Sequence, residues 1–275
     1  MKKTSNLVFK ISGDSEKGIR PKNEDNFYCG VNQAGQLLAI IADGIGSLEN
    51  SEIVSKSVVQ NYEKQFQKYM SISDPTEFFS STNEIIWKEI NKLASEHDGK
   101  TKKFGSTIVM CLVTGETLDV FNLGDSRAYQ FIKSKKKWDK LTVDQTVENL
   151  IETEYAKKLS KIKKESENIK EDTEFVNAWF KNQKTKFHDS LHAITHCIDD
   201  ISVIHKDFDH FVYQIHKGDI LFLASDGCYH WTEREDINSL VSKSKKFDGV
   251  SKSLTELAIK NGSDDNSTAI VVLAE

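Results

Sequence analysis

Five stretches of this chain carry Ile, Val, Leu and Phe in short, nearly unbroken runs bounded by Gly, Asp or Asn: residues 36–42, 105–114, 118–132, 209–225 and 266–274. Runs of this length and composition predict strands, many of them covered on both faces. Residues 50–70 and 76–96 follow a different period. There Ile53, Val54, Val58, Tyr62 and Phe66 recur at helical spacing, with Asn50 or Ser51 available as an N-cap and Pro75 as the break between two adjacent helices. From about 145 to 186 the chain turns to Lys, Glu and Asn, with KKLSKIKKESENIKED at its centre. That composition predicts a charged helical insert and is also compatible with local disorder. Strand character returns near 209, further helices are expected after 233 and 248, and no internal repeat is present. Helix pairs enclosed by strands predict a mixed layered domain.

Composition narrows this picture. The 275 residues are 38% hydrophobic and 29% charged, enough for one large core, and a single domain spanning residues 1–275 with an insert at about 145–190 is expected. A net charge of -5 provides no global basic field for nucleic acid, and the lysines of KSKKKW at 133–138 read as a solvated hairpin. Cys29, Cys111, Cys197 and Cys228 are widely spaced and form no C-x-x-C pair, which fits a reducing compartment. No apolar run reaches the roughly 18 residues of a membrane helix and the N-terminus lacks a signal-peptide core, so a cytoplasmic protein is expected.

The candidate chemistry lies at the strand ends. Asp43 follows LLAIIA, Asp226 follows ILFLAS, and Asp265 precedes NSTAIVVLA. A carboxylate where a buried strand surfaces is costly unless a cation meets it, so three such positions suggest a shared metal centre. In chain order the sequence also contains RPKNED (20–25), ADGIG (42–46), FGST (104–107), NLGDSR (122–127), LTVDQT (141–146), ASDG (224–227) and DDNST (264–268). In these seven motifs, in register from about residue 12 to 273, the chain resembles the metal-dependent protein phosphatases, the PPM or type 2C serine/threonine phosphatases, and in particular their bacterial branch.

That resemblance implies an α+β fold, a four-layer αββα sandwich of two antiparallel sheets flanked by helix pairs, with an enlarged flap at the insert. It implies hydrolysis of phosphoserine and phosphothreonine on proteins by a metal-bridging water, with two Mn²⁺ or Mg²⁺ ions. Asp43 would bridge both ions, the Gly44 carbonyl would bind one, and Asp226 and Asp265 would complete the protein ligands. Glu24 would hold metal-bound water, Asp25 would support the site, and Arg20 would grip the phosphate. Asp125 reads either as a ligand of a third ion or as a turn cap. Partners implied are a phosphoprotein substrate and a serine/threonine kinase pathway, with neither nucleic acid nor membrane. The residue types suit the chemistry: hard cations prefer oxygen ligands, and phosphoryl transfer needs mainly positioning and charge stabilisation. Gly44 and Gly46 read as permitting the tight turn that exposes a carbonyl.

Departures from the family pattern cluster around the flap. Ile45 stands where some members have His, Asp144, Gln145 and Thr146 replace Asp-His-Ser, and His196 to Asp199 replace Arg-x-Leu-Gly. Three rival readings remain. HDSLH, with His188, Asp189 and His192, is one methylene short of a zinc-protease motif, and His196 continues its spacing on one helix face. Cys228 and Arg234 have the C-x5-R spacing of cysteine-dependent phosphatases. The chain could also be a PPM-fold regulatory module that has lost its metals.

Overall fold

The structure is a computed structural model, which describes residues 7–46, 48, 50–95, 104–166, 168–199, 208–243 and 246–275. The chain divides into two compact units, one formed by residues 1–143 and 197–275 and the other by Asp144–His196.

Among the described residues the first unit is built on twelve strands. One five-stranded sheet runs in the order β1 (Phe9–Glu16), β12 (Ser267–Ala274), β11 (Ile220–Ala224), β7 (Arg127–Ile132), β8 (Lys137–Lys140). The other runs β10 (Asp209–Gln214), β6 (Thr117–Leu123), β5 (Ile108–Thr114), β3 (Leu37–Asp43), β2 (Asp25–Val31). All pairings within both sheets are antiparallel. A short third pairing joins β4 (Gly105–Ser106) to β9 (Ile198–Asp199).

Side-chain alternation along β3 shows how the layers are specified. Leu37, Ala39 and Ile41 join Val109, Cys111, Leu221, Leu223, Ile270 and Val272 in the core between the two sheets. Leu38, Ile40 and Ala42 face the other way, into a cluster with Val54, Val58, Tyr62 and Phe66 of α1 (Ser51–Lys68) and Phe79, Ile86 and Ile90 of α2 (Pro75–Ser95). A third cluster packs Phe222, Ala224, Ala269 and Val271 against Ile237 of α5 (Arg234–Lys243) and Val250 and Leu254 of α6 (Val250–Lys260). A central strand buried on both faces can be apolar at every position, which is why β3 and β12 read as unbroken runs. The layers are therefore helix pair, sheet, sheet, helix pair, the expected αββα sandwich.

The predicted helices are present, with residue 96 of the second lying outside the described residues. Asn50 occupies the N-cap position of α1 without a side-chain cap bond. Three predicted strands prove to be two strands each: the 105–114 run divides at Thr107 into β4 and β5 of different sheets. The 118–132 run breaks at Gly124, held at φ +108°, and passes from β6 in one sheet to β7 in the other. The 209–225 run breaks in the same way, with Gly218 at φ +90° between β10 and β11. The lysines of 133–138 form the β7–β8 hairpin, whose Lys136 takes φ +50°.

The second unit contains α3 (Val147–Glu165) and α4 (Ile169–Lys186), so the charged insert is helical where described, with Glu167 outside the described residues. Thr146 caps α3 by accepting from the Asn149 N–H.

Candidate active site

The sandwich brings one set of strand ends together. Asp25 opens β2, Asp43 closes β3, and the two are directly paired across the ladder. Like charges placed opposite each other destabilise a sheet, so this register needs a compensating reason. Beside them, Ala224 pairs with Ala269, which sets Asp226, just past the end of β11, next to the segment leading into β12 with Asp265. The turn carrying Asp125 is tied to Asp43 through Thr107. The Thr107 hydroxyl accepts the Asp43 N–H at 3.2 Å and bonds the Ser126 hydroxyl at 2.9 Å, while the Thr107 N–H donates to the Asp43 carbonyl at 2.8 Å.

Electrostatically this is an anionic pit. Burial, followed by the charges of Asp25, Asp226 and Asp125, pushes the Asp43 carboxyl well above the usual carboxylate range. Asp25 is only 4% exposed, and burial lifts it to about 6 against hydrogen bonds from Thr268 and Ser225 that favour its ionised form. Those hydroxyls donate to Asp25 Oδ2 at 2.7 and 2.8 Å. They belong to the opposite sheet, so Asp25 also ties the two layers together. Asp25 Oδ1 is buried and no N–H or hydroxyl among the described residues donates to it, while the Asp25 and Asp43 carboxyls lie close enough to share one proton, which holds Asp25 down and Asp43 up. A buried carboxylate oxygen with no such donor, facing other carboxylates, is a poor arrangement for a finished polar network and a suitable one for a cation.

Arg20 and Glu24 lie on the loop between β1 and β2. Arg20 donates from Nη2 to Asp265 Oδ2 at 2.8 Å and from Nε to the Asp264 carbonyl at 2.8 Å. Burial raises the Asp265 carboxyl, the Asn266 N–H on Oδ1 opposes that shift, Asp226 adds to it, and Arg20 offsets it. Glu24 is likewise raised, first by burial, with Lys22 and Arg20 opposing.

Gly44 is required for a reason other than the turn expected from sequence. Neither Gly44 nor Gly46 has a positive φ. A Cβ on Gly44 would lie 2.8 Å from the Glu24 carbonyl and 2.9 Å from Ser51 atoms, so close packing excludes any larger residue. Gly227 is more constrained still, since its Cβ would meet the Asn266 carbonyl at 2.1 Å.

Asn266 is the main functional residue that sequence reasoning missed. Its Nδ2 donates to the Lys17 and Lys22 carbonyls at 2.8 and 2.9 Å, and its Oδ1 accepts the Glu24 N–H at 2.8 Å. One buried side chain thus fastens the Arg20–Glu24 loop to the strand that follows Asp265. Its position in DDNST, next to a proposed ligand, was the available signal. Ser225 and Thr268 were missed for the same reason, their motifs having been read only for carboxylates.

The rival chemistries are not supported. His188–Ser190 is one turn of 3-10 helix and the chain does not continue as a helix through His192 and His196, so the histidines do not share a helix face. His188 Nδ1 instead contacts its neighbour Asp189 at 3.0 Å. Cys228 is fully buried, its thiol pushed up to about 12 by burial, and Arg234 lies over the Tyr129 ring at 5.2 Å. A buried neutral thiol cannot serve as the nucleophile of a C-x5-R loop.

The donor set fits hard divalent ions: carboxylates, a glycine carbonyl, and a buried oxygen on Asp25 to which no N–H or hydroxyl among the described residues donates. Among the described residues no three His, Cys, Asp or Glu side chains already close on a common point. The charges of Asp25, Asp226 and Asp125 are nonetheless near enough to help raise Asp43, and that of Asp226 to help raise Asp265, a repulsion that a cation would relieve.

The family model for protein phosphatase 2C matches residues 13–269. A putative protein phosphatase of Mycoplasma genitalium is 24% identical over 270 residues, 95% of this chain and 94% of the relative. Among solved structures, the serine/threonine phosphatase of S. agalactiae superposes with a TM-score of 0.73 at 24% identity, covering 98% of this chain and 100% of the other. The catalytic domain of the serine/threonine protein phosphatase PstP, solved in complex with two manganese ions, gives 0.71 at 20% identity, covering 98% and 99%.

Proposed function

As a member of the protein phosphatase 2C family, the chain is a metal-dependent serine/threonine protein phosphatase, and we propose that the carboxylate centre around Asp43 is where it hydrolyses phosphate monoesters. The observation that carries this assignment is the cross-strand Asp25–Asp43 pair, buried beside further negative charge and holding an oxygen to which no N–H or hydroxyl among the described residues donates. Asp43, the Gly44 carbonyl, Asp226 and Asp265 would hold two ions, Mn²⁺ or Mg²⁺, with Glu24 acting through water and Asp125 available to a third. Bound there, such ions supply Lewis-acid charge to the phosphoryl oxygens and lower the pKa of water.

The protein's own contribution is positioning. Arg20, with 42% of its side chain exposed, can turn its planar guanidinium to two phosphate oxygens. Asn266 fixes the loop that carries it, and Asp25 accepts from Ser225 and Thr268 so that the two sheets keep one spacing at the site. Ile45 carries no proton in place of the family's occasional His, so leaving-group protonation falls to solvent. A phosphoprotein substrate follows from the family. A partner kinase pathway, a cytoplasmic location, and one functional domain with the 145–190 insert as a substrate-selecting flap are parts of the same proposal. No helix among the described residues is long and apolar enough to cross a membrane.

The test is hydrolysis of para-nitrophenyl phosphate and of a phosphothreonine peptide, with calorimetric titration of Mn²⁺. Activity should vanish in chelator and return with metal, and Asp43→Asn or Asp226→Ala should abolish both turnover and Mn²⁺ binding. Turnover that persists in fully chelated enzyme refutes the assignment.

A further inference from the structure

The second unit exposes an apolar surface that its own two helices do not cover. A helix of five turns normally buries a continuous stripe, because packing rather than propensity supplies most of its stability. Yet α3 buries only Ile151 and α4 only Val176. The end of the hairpin away from the connecting turn is closed. Lys184 bonds both Glu148 and Glu152, and Tyr155 stacks on Phe180 with ring centroids 4.2 Å apart. Towards the C-terminal end of α3 and the N-terminal end of α4 the helices leave a groove of about 380 Å³ floored by Ile162, Val176 and Trp179. Phe175 at its edge is 74% exposed and Ile169 nearby is 52% exposed.

Charge around this groove is segregated. Five lysines, Lys157, Lys158, Lys161, Lys163 and Lys164, lie on the last turns of α3 with Glu165 as the single acid beside them. The first turns of α4 carry Glu171, Asp172 and Glu174 with the single Lys170. Lys158, Lys161 and Glu165 border the groove on the α3 side, a net positive rim, and Asp172 borders it on the α4 side. A surface with a basic half, an acidic half and an apolar floor between them is complementary to itself after a two-fold rotation.

We propose that this face docks a second copy of the chain, the two hairpins lying antiparallel as a four-helix arrangement. Lysines of α3 in one protomer meet the acids of α4 in the other, and each Phe175 enters the partner's groove. This buries the stripe that each hairpin leaves open and adds cross-protomer pairs to charges whose contacts within the hairpin are exposed ones, such as Lys161–Glu165 at 3.9 Å and Asp172 with the Ser166 hydroxyl. It does not depend on the phosphatase assignment.

The test is sedimentation velocity of the full chain, in chelator and at low salt, across about 1 to 100 μM. The wild type should show a concentration-dependent monomer–dimer equilibrium. Lys158→Glu with Lys161→Glu, and separately Glu171→Lys with Asp172→Lys, should each raise the dimer Kd by about tenfold or more, since each reversed variant faces like charge in its own dimer. An equimolar mixture of the two reversed variants should recover the dimer. Phe175→Ala should weaken the wild-type dimer without altering helicity by circular dichroism. Monomer at every concentration overturns the proposal. A dimer indifferent to both reversals also overturns it, assigning self-association to another face, and so does a mixture no tighter than its components. Far-ultraviolet circular dichroism and Tm of the reversed variants should match the wild type, which checks that they are folded.

Discussion

Replacing Asp25 by Asn should make the metal-free protein more stable while removing function. Burial lifts Asp25 to about 6 from an ordinary carboxylate value near 4. Two pH units at about 1.4 kcal/mol each put the penalty for keeping this group ionised in the metal-free fold at about 3 kcal/mol. Because the folded-state pKa is the higher one, the folded state binds more protons between the two values. The penalty is therefore absent below the unfolded pKa, grows as pH rises from about 4 to about 6, and is complete at neutrality. Asn fits the same space. Its oxygen can accept from Ser225 and Thr268 as Asp25 Oδ2 does, and its amide puts a donor where Oδ1 now receives no N–H or hydroxyl from the described residues. With an unfolding entropy of about 2.1 cal/mol/K per residue, 3 kcal/mol in a chain of 275 residues corresponds to a rise in Tm on the order of 5 °C. Scanning calorimetry in chelator at pH 7.5 should show that rise, and at pH 4 it should disappear. Saturating Mn²⁺ should close the gap at pH 7.5 by stabilising the wild type, since a ligand at about 100 times its Kd contributes about 2.7 kcal/mol. A variant no more stable than wild type at pH 7.5, or a gain that persists unchanged at pH 4, refutes the electrostatic argument.

Asn266→Ala should raise KM for phosphopeptide and weaken Mn²⁺ binding in calorimetry, because the Lys17–Glu24 segment loses all three of its bonds to the Asn266 side chain, at Lys17, Lys22 and Glu24; Asn266→Asp should do no better, since it keeps the acceptor for Glu24 but loses both donors. Arg20→Ala should raise KM without weakening Mn²⁺ affinity, as it removes a phosphate contact and frees Asp265 Oδ2 from its ion pair; a collapse of metal affinity in titration would instead make Arg20 an organiser of the ligands. Cys228→Ser should retain most turnover in a steady-state assay, its buried thiol having no role in the chemistry. A folded variant lacking about residues 152–182 should keep para-nitrophenyl phosphatase activity within about tenfold, roughly 1.4 kcal/mol, and lose selectivity among phosphopeptides; equal loss on both substrates would place the insert in support of the catalytic centre.

How far the fold could be read from sequence depended on burial. Strands β3, β5, β11 and β12 are covered on both faces, so nearly every position is apolar and the runs are unmistakable. Strands β1 and β2 lie at sheet edges with mostly half-buried residues, such as the FKISGDSE of Phe9–Glu16, and gave no comparable run. The two long runs were split because a hydrophobic strand leaving one sheet for the other stays inside the same core. Only Gly124 and Gly218, held at positive φ, mark the change of layer.

The candidate site was legible in its charges and illegible in its supports. An Asp beside a buried apolar run is unusual enough to be noticed alone, and all eight proposed residues, from Arg20 to Asp265, are singled out in that way or through their motifs. Asn266, Ser225 and Thr268 are common polar residues whose roles exist only once the sheets are stacked, since the bonds from Ser225 and Thr268 to Asp25 span 200 and 243 positions of sequence. The same distance argument bears on the metal centre itself. Asp25 and Asp43 are paired by strand register, Asp226 and Asp265 by the neighbouring β11–β12 pair, and the hydroxyls of Ser225 and Thr268 join the two sets. Neither sheet alone assembles the centre, and the carboxylates that repel one another in the metal-free fold are held together by the core between the sheets. A cation then gains from a repulsion already paid for by hydrophobic packing, which explains why a strongly apolar sandwich carries its acidic residues at one set of strand ends.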